Sequence, residues 1–360
     1  MEITDSTLGA SKELLSQGLI LQTYCNSVLI QPSVDFTGFD NLTKYQKGIN
    51  DGLATAKLHA NDYLNNIQPS IVSNISNIGN YYQIYNAVPA ACPSGSTVDT
   101  WLNVLRTLQT QATTYQATSQ GIVTSLATLN SNLGTDTASF ATTVSNLNAA
   151  VNGDQGVMQS ISDSVSTIDG QIAGCIAGTA LSALAIVGGG FMIAVGGIAE
   201  FVTAGTSTAL VLGGVAVIAT GIGGEVASAV TLSNLYKEKA GLLQQKALLT
   251  SEVNLSLGIS SSYSQLKDQG IASMNAATQM QNAWTTLSSD LGNMASDLQK
   301  GILSTDTLRT LWLNGANNLV PTILTDISTI KAQMAGVSVA NTGSQDLGTY
   351  VLEQAHKNAA

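Results

Sequence analysis

Residues 172–199 read IAGCIAGTALSALAIVGGGFMIAVGGIA, and residues 201–224 read FVTAGTSTALVLGGVAVIATGIGG. Between Ile172 and Leu235 the only charges are Glu200 and Glu225, and no Lys or Arg occurs between Arg106 and Lys237. Each apolar half exceeds the roughly 20 residues a bilayer-spanning helix needs. A helix on a globular core normally keeps one face for water and does not require such length. The block lies mid-chain between two polar arms. This order predicts a chain that carries its own solubility and can place a helical hairpin in lipid.

The hairpin can be read by position. The apolar positions expected to insert are Ile172, Ile176, Leu181, Leu184, Ile186, Val187, Phe191, Met192, Ile193, Val195 and Ile198 in the first arm. In the second they are Phe201, Val202, Leu210, Val211, Leu212, Val215, Val217, Ile218 and Ile222. Glu200, Thr203, Gly205, Thr206 and Ser207 form the most polar spot and are the expected tip. A tip without a cation crosses a bilayer at lower cost. Gly174, Gly178, Gly189, Gly196, Gly213 and Gly224 are read as helix-packing or hinge positions, because small residues four apart let helices approach closely in lipid. Within the block, the Val- and Gly-rich segments are equally compatible with strands in water, since periodicity does not separate the two for short apolar runs. Neither arm has a continuous polar face, so a ring of such hairpins alone makes a poor aqueous channel. A wet lining must then come from a partner chain.

Outside the block the pattern is helical. The five prolines are Pro32, Pro69, Pro89, Pro93 and Pro321, so the span from Ser94 to Val320 has none. Ser96, Thr97 and Asp99 offer N-cap chemistry. Apolar residues then recur at steps of three and four: Trp101, Leu105, Leu108, Ala112, Tyr115, Ile122, Leu126, Leu129, Leu133, Phe140, Val144, Leu147, and on to Ile172. That period marks a bundle seam. Polar Ser119 and Thr137 interrupt it, and Gly134, Gly153 and Gly156 are candidate bends. After the block, Tyr236-Lys237-Glu238-Lys239 marks an expected return to water, and a second seam runs through Leu242, Leu249, Ile259, Tyr263, Leu266, Ala277, Met280, Trp284, Leu287, Leu291, Met294 and Leu298. Further helices are predicted over about 4–31, 40–88 with a bend at Pro69, and 304–335 with Leu308 and Leu311 inward. Residues 336–348 read as a loose linker. The expected fold is all-α: an elongated five-helix bundle as tail (1–171 and 236–360), with a hydrophobic head (172–235) between the two longest helices.

Composition excludes several classes. Charged residues are 10% of the chain and the net charge is -10, against about 25% charged in ordinary soluble domains. Nucleic acid needs basic patches, which an acidic chain lacks, and capture by anionic lipid is excluded for the same reason. Cys25, Cys92 and Cys175 show no metal spacing; the pattern admits a Cys25–Cys92 disulfide or buried free thiols. His59 and His356 have no ligand-type neighbours, and no phosphate loop, dinucleotide fingerprint or nucleophile elbow occurs. No enzyme, cofactor or metal centre is expected. The N-terminus has no basic stretch followed by an apolar core, so export is expected by a route other than a secretory signal peptide.

In the second rod the run Ala276-Ala277-Thr278-Gln279-Met280-Gln281-Asn282-Ala283-Trp284-Thr285-Thr286-Leu287, followed by Asp290-Leu291 and Leu298, resembles the Gln/Met-rich helix of the alpha-helical pore-forming toxins. That group includes cytolysin A, haemolysin BL and the non-haemolytic enterotoxins. With a strongly apolar hairpin, the chain is most similar to the B component of Gram-negative tripartite toxins. The resemblance implies a secreted haemolysin-like component, a soluble form with the hairpin folded into a head, and a homo-oligomeric ring on target-cell membranes with partner components. Alternatives are a secretion-system translocator, a structural coiled-coil protein with an apolar segment, and a resident membrane protein. The last is disfavoured by the missing basic flank near Ile172.

Overall fold

The computed structural model describes residues 2–30, 33, 43–153, 155–185, 192–195, 201–202, 212–213, 215–220, 226–243, 251–318, 337–341 and scattered positions between 320 and 356. Eight helices are present among them: α1 (Glu2–Ile30), α2 (Thr43–Asp62), α3 (Gln68–Ala91), α4 (Val98–Ala150), α5 (Gln155–Ala185), α6 (Val226–Leu243), α7 (Ser251–Gln299) and α8 (Thr305–Asn318). Five short strands complete the fold: β1 (Met192–Val195), β2 (Phe201–Val202), β3 (Leu212–Gly213), β4 (Val215–Thr220) and β5 (Val337–Asn341). The all-α class holds for the bundle: the second predicted helix is divided into α2 and α3 and the first rod into α4 and α5, while α6 and α7 of the second rod flank residues outside the described ones.

Each interruption has a local cause. The first rod stops at Asn152, which takes the left-handed conformation (φ 56°). Gly153 N–H then bonds Asn148 O at 2.9 Å and Asn152 N–H bonds Ala149 O at 3.2 Å. This pair of bonds is the Schellman closure, with Asn in the place glycine usually holds. Gly301 (φ 75°) ends α7 the same way, with Ile302 N–H on Asp297 O at 2.9 Å. Helical backbone runs without a gap from α2 to α3 through a π-helical turn over Tyr63–Ile67. Pro69 follows that turn directly, with Ile67 still helical (φ -81°, ψ -48°), so its missing N–H falls where the regular bonding pattern is already displaced. Thr97 caps α4, its Oγ1 accepting from Thr100 N–H at 3.2 Å, as the cap chemistry predicted.

The chain divides into two compact units. The first comprises residues 1–18, 67–126 and 272–332. Within it α4 and α7 run antiparallel, joined by Thr113 Oγ1 and Ser288 Oγ at 3.0 Å and by the Gln120–Gln281 side chains. Trp284 is fully buried, with Tyr81 at 5.4 Å and Tyr115 at 5.2 Å between ring centroids. Trp312 stacks on Tyr85 at 4.9 Å and lies 6.0 Å from Trp101. Ser119, which interrupts the seam, is explained here: Asn74 Nδ2 donates to its Oγ at 2.7 Å, and its hydroxyl reaches Tyr115 O. Leu311 was expected inward but is 51% exposed. Leu308 and Trp312, four apart, take the buried face of α8 instead. Trp284→Ala is expected to destabilise the protein by about 3–5 kcal/mol, read as a shift in the denaturant midpoint.

The second unit comprises residues 19–66, 127–271 and 333–360. Its core includes Phe140 stacked on Tyr263 at 4.5 Å. Gly52 faces that pair so closely that a Cβ there would sit 3.1 Å from the Phe140 ring. His59 Nδ1 lies 2.6 Å from the buried Asp136 carboxylate, so His59 is tied to α4 and not a plain surface residue. Burial, and then the Asp136 charge, hold the Tyr263 hydroxyl well above its ordinary pKa. Cys25 and Cys92 are both free and buried, and Cys175 is half-buried. Of the two cysteine readings, free thiols hold.

Candidate membrane-inserting head

The two arms rise from α5 and α6. In α5 the residues Met158, Ile161, Val165, Ile168 and Ile172 are buried at steps of three and four. In α6 the corresponding buried positions are Leu232, Tyr236 and Lys239. Lys239 is completely buried although its neighbours Lys237 and Glu238 are exposed. The expected return to water at this point is therefore corrected: one of the three charges faces the core. Lys239 Nζ lies 3.0 Å from Asp169 Oδ1, and Asp169 is itself almost wholly buried. Ser261 Oγ on α7 donates to the other carboxylate oxygen. Tyr24 on α1 is enclosed in the same neighbourhood. Burial first, then the charges of Tyr236, Asp169 and Asp268, push its hydroxyl well above the ordinary range. The ion pair joins α5 to α6 three residues before Ile172 and four after Leu235, at the root of the apolar block.

Within the block the arms end in strands. β1 pairs antiparallel with β4, Met192 opposite Thr220 and Val195 opposite Val217. β2 pairs antiparallel with β3, Phe201 opposite Gly213 and Val202 opposite Leu212. The two pairings are nested. The strand-compatible reading of these segments is thus the one realised in this form. A third strand comes from outside the block: β5 pairs antiparallel with β4, Val339 opposite Val217. Residues 337–341 were expected within a linker, and that expectation is corrected. The alternation Val337-Ser338-Val339 suits a strand, but its partner lies more than a hundred residues earlier, beyond the reach of local pattern. The sheet order is β1-β4-β5, so among the described residues β1 and β5 are its edges.

Of the expected inserting positions, Ile172, Ile176, Leu181 and Leu184 lie on α5, Met192, Ile193 and Val195 on β1, Phe201 and Val202 on β2, Leu212 on β3, and Val215, Val217 and Ile218 on β4. Gly174 and Gly178 are on α5 and Gly213 on β3. A Cβ at Gly174 would meet open space, so nothing in this form uses its small size. Ile186, Val187, Gly189, Phe191, Gly196, Ile198, Glu200, Thr203, Gly205, Thr206, Ser207, Leu210, Val211, Ile222 and Gly224 lie outside the described residues. Among the described residues no helix is long and apolar enough to cross a membrane, and no metal-ligand cluster occurs.

A helical bundle with strand-paired apolar segments between α5 and α6 is an arrangement that solved structures of known proteins match. The Bacillus haemolytic enterotoxin (HBL) family matches residues 7–174. Soluble AhlB of the tripartite alpha-pore-forming toxin of Aeromonas hydrophila is 43% identical, aligned over 97% of this chain and 99% of that one, with a TM-score of 0.86. Soluble SmhB of the tripartite toxin of Serratia marcescens is 33% identical over 99% of both chains, also at 0.86. The AhlB pore is similar as well, at 38% identity over 94% of this chain and 99% of that one, but its TM-score falls to 0.64. No curated protein sequence matches. The chain belongs to the family of tripartite alpha-pore-forming toxin components, on the side of AhlB and SmhB. Its structure superposes better on soluble AhlB than on the AhlB pore.

Proposed function

We propose that this chain is the B-type, membrane-anchoring component of a tripartite pore-forming toxin. It is released as a soluble protein and acts at the target-cell membrane. Residues 172–235 serve as the head and the remainder as the helical tail. On lipid, the nested strands convert to a helical hairpin, copies assemble into a ring, and partner components of the same family supply the hydrophilic lining. Such a protein works by refolding and assembly, and no catalytic turnover enters.

One observation carries this reading: nearly the whole chain aligns with one relative in two conformations, soluble and pore. Physical chemistry supplies the reason for the refolding. An open three-stranded sheet presents unpaired backbone groups at its edges, and hydrocarbon offers them no partner. A helix satisfies every backbone group within itself. The apolar block therefore cannot enter lipid as the sheet seen here, but it can as helices. Apolar burial at roughly 25 cal/mol per Å² drives the transfer.

The test is flotation of the purified chain with receptor-free phosphatidylcholine liposomes. Stable co-flotation that survives high salt is expected, because the association is apolar and not electrostatic. On erythrocytes the chain alone should lyse weakly, and strongly once its partner components are added. No lipid association at all would refute the proposal, and full lysis by the lone chain would refute the partner requirement.

A further inference from the structure

Within the first compact unit, two helical stripes line a cleft of about 310 Å³. One stripe belongs to α3 and consists of Ser76, Gly79, Asn80 and Gln83. The other consists of Leu324, Ile327, Ser328 and Lys331, all with helical backbone. Both follow the same spacing, i, i+3, i+4 and i+7, which gathers side chains on one face of a helix. Gly79 permits the approach: a Cβ there would lie 3.8 Å from Ile327 Cδ1 and 3.9 Å from Leu324 Cδ2. The two aliphatic side chains give the cleft an apolar floor beside the glycine. Polar groups stand around it: Asn80, Gln83 and Ser328 are exposed, and Ser76 and Lys331 are half-buried. A small apolar surface with a few polar groups placed around it is the make-up of a ligand site, and the volume is at the small end of the usual range.

The polar groups narrow the chemistry. No Asp, Glu, Lys or Arg occurs from Tyr63 to Val98, so α3 brings no charge to the cleft. Among the described residues that line it, Lys331 alone is charged. A half-buried ammonium with no acid beside it in the lining favours an anionic ligand. Ser76 Oγ donates to Val72 O at 3.0 Å, so towards a ligand its oxygen is an acceptor. The amides of Asn80 and Gln83 offer both donors and acceptors. The lining therefore suits one negative charge, hydroxyl or amide groups that both donate and accept, and a small apolar group.

We propose that this cleft binds the terminal residue of an acidic, N-acetylated sugar chain, of the sialic acid class, on the target-cell surface. The carboxylate pairs with Lys331 Nζ, and the acetamide methyl lies on Leu324 and Ile327. The hydroxyls exchange hydrogen bonds with Ser76, Asn80, Gln83 and Ser328. Other anions fit less well. A phosphate ester calls for Arg forks or the free N–H groups of a helix start, and Ser76–Gln83 lie in the interior of α3. An amino acid would need an acidic side chain for its ammonium, and a fatty acid would need apolar walls. The inference goes beyond the function proposed above and does not depend on refolding of the head.

The test is saturation-transfer NMR of the full chain with the methyl glycoside of N-acetylneuraminic acid. Millimolar binding is expected, with the strongest transfer at the acetamide methyl. Lys331→Gln should weaken binding about tenfold, the worth of one charge-assisted hydrogen bond. Asn80→Ala/Gln83→Ala should weaken it about fivefold. Both variants should keep the wild-type circular dichroism spectrum and flotation with receptor-free liposomes, which a merely structural role would not allow. No transfer to the sialoside would overturn the inference. Equal binding of neutral N-acetylglucosamine or of inorganic phosphate, or full binding by Lys331→Gln, would overturn it as well. On cells, partner-assisted lysis by wild type should fall after sialidase treatment, to the level that Lys331→Gln shows on untreated cells; equal lysis throughout would count against the cleft as a cell-surface site. A chain that floats but binds no sialoside overturns this inference alone. One that binds the sialoside but never floats overturns the proposed insertion alone.

Discussion

Oxidised Val217→Cys/Val339→Cys protein, on a Cys175→Ser background, is expected to lose liposome insertion and partner-dependent lysis at least tenfold, and to regain both on reduction. Val217 and Val339 are directly opposed partners of β4 and β5, and opposed antiparallel residues have Cα separations that a disulfide can bridge. β4 belongs to the second apolar arm, but β5 lies far beyond it in sequence. A link between them keeps the strand form of the arm in place. The arm cannot then become a helix, and as a strand in an open sheet it would bring unsatisfied backbone groups into lipid at several kcal/mol each. Oxidised and reduced protein inserting equally would show that β5 need not release β4.

The second large effect concerns the buried pair at the root of the arms. Lys239→Met is expected to cost about 3–5 kcal/mol of stability, because it strands the buried Asp169 carboxylate with only the Ser261 hydroxyl as donor among the contacts described. Asp169→Leu/Lys239→Met should recover most of that loss, since replacing both partners of a buried pair by apolar residues is often neutral or stabilising. Equilibrium denaturation of the two singles and the double gives the coupling directly. What the double should not recover is fidelity. A lone buried polar pair fixes register between helices, and without it α5 and α6 can pack in more than one alignment. Lytic activity with partner components should fall in the double even as stability returns. A double mutant as unstable as Lys239→Met would remove the reading of this pair as a compensated ion pair.

Much of this fold was legible because it is periodic. Trp101 through Leu147 on α4, and Tyr263 through Leu298 on α7, are spaced by three and four, and these seam residues are buried almost without exception. Caps at Thr97 and Ser304 follow the same local logic. What escaped was non-local or exceptional. The pairing of β5 with β4 depends on a partner in a distant segment. Lys239 sits among charges, yet its place three after Tyr236 and seven after Leu232 puts it on the buried stripe of α6. Asp169 gave the matching hint, lying between the buried Ile168 and Ile172. The strand form of the block was open in the sequence, because short Val- and Gly-rich runs fit either period. Its length and lack of charge record what the block can do in lipid, while the strand pairing records the form its segments take here.

The direct test of that two-state head is an environment-sensitive fluorophore placed at Ile186→Cys or Val217→Cys on a Cys175→Ser background, with Thr114→Cys as reference. On mixing with phosphatidylcholine liposomes, emission from both head positions should shift to the blue and be quenched by nitroxides carried within the acyl chains, while the reference stays unquenched. If the labelled protein floats with the liposomes but neither head probe shifts or is quenched, the apolar block is not what enters the bilayer.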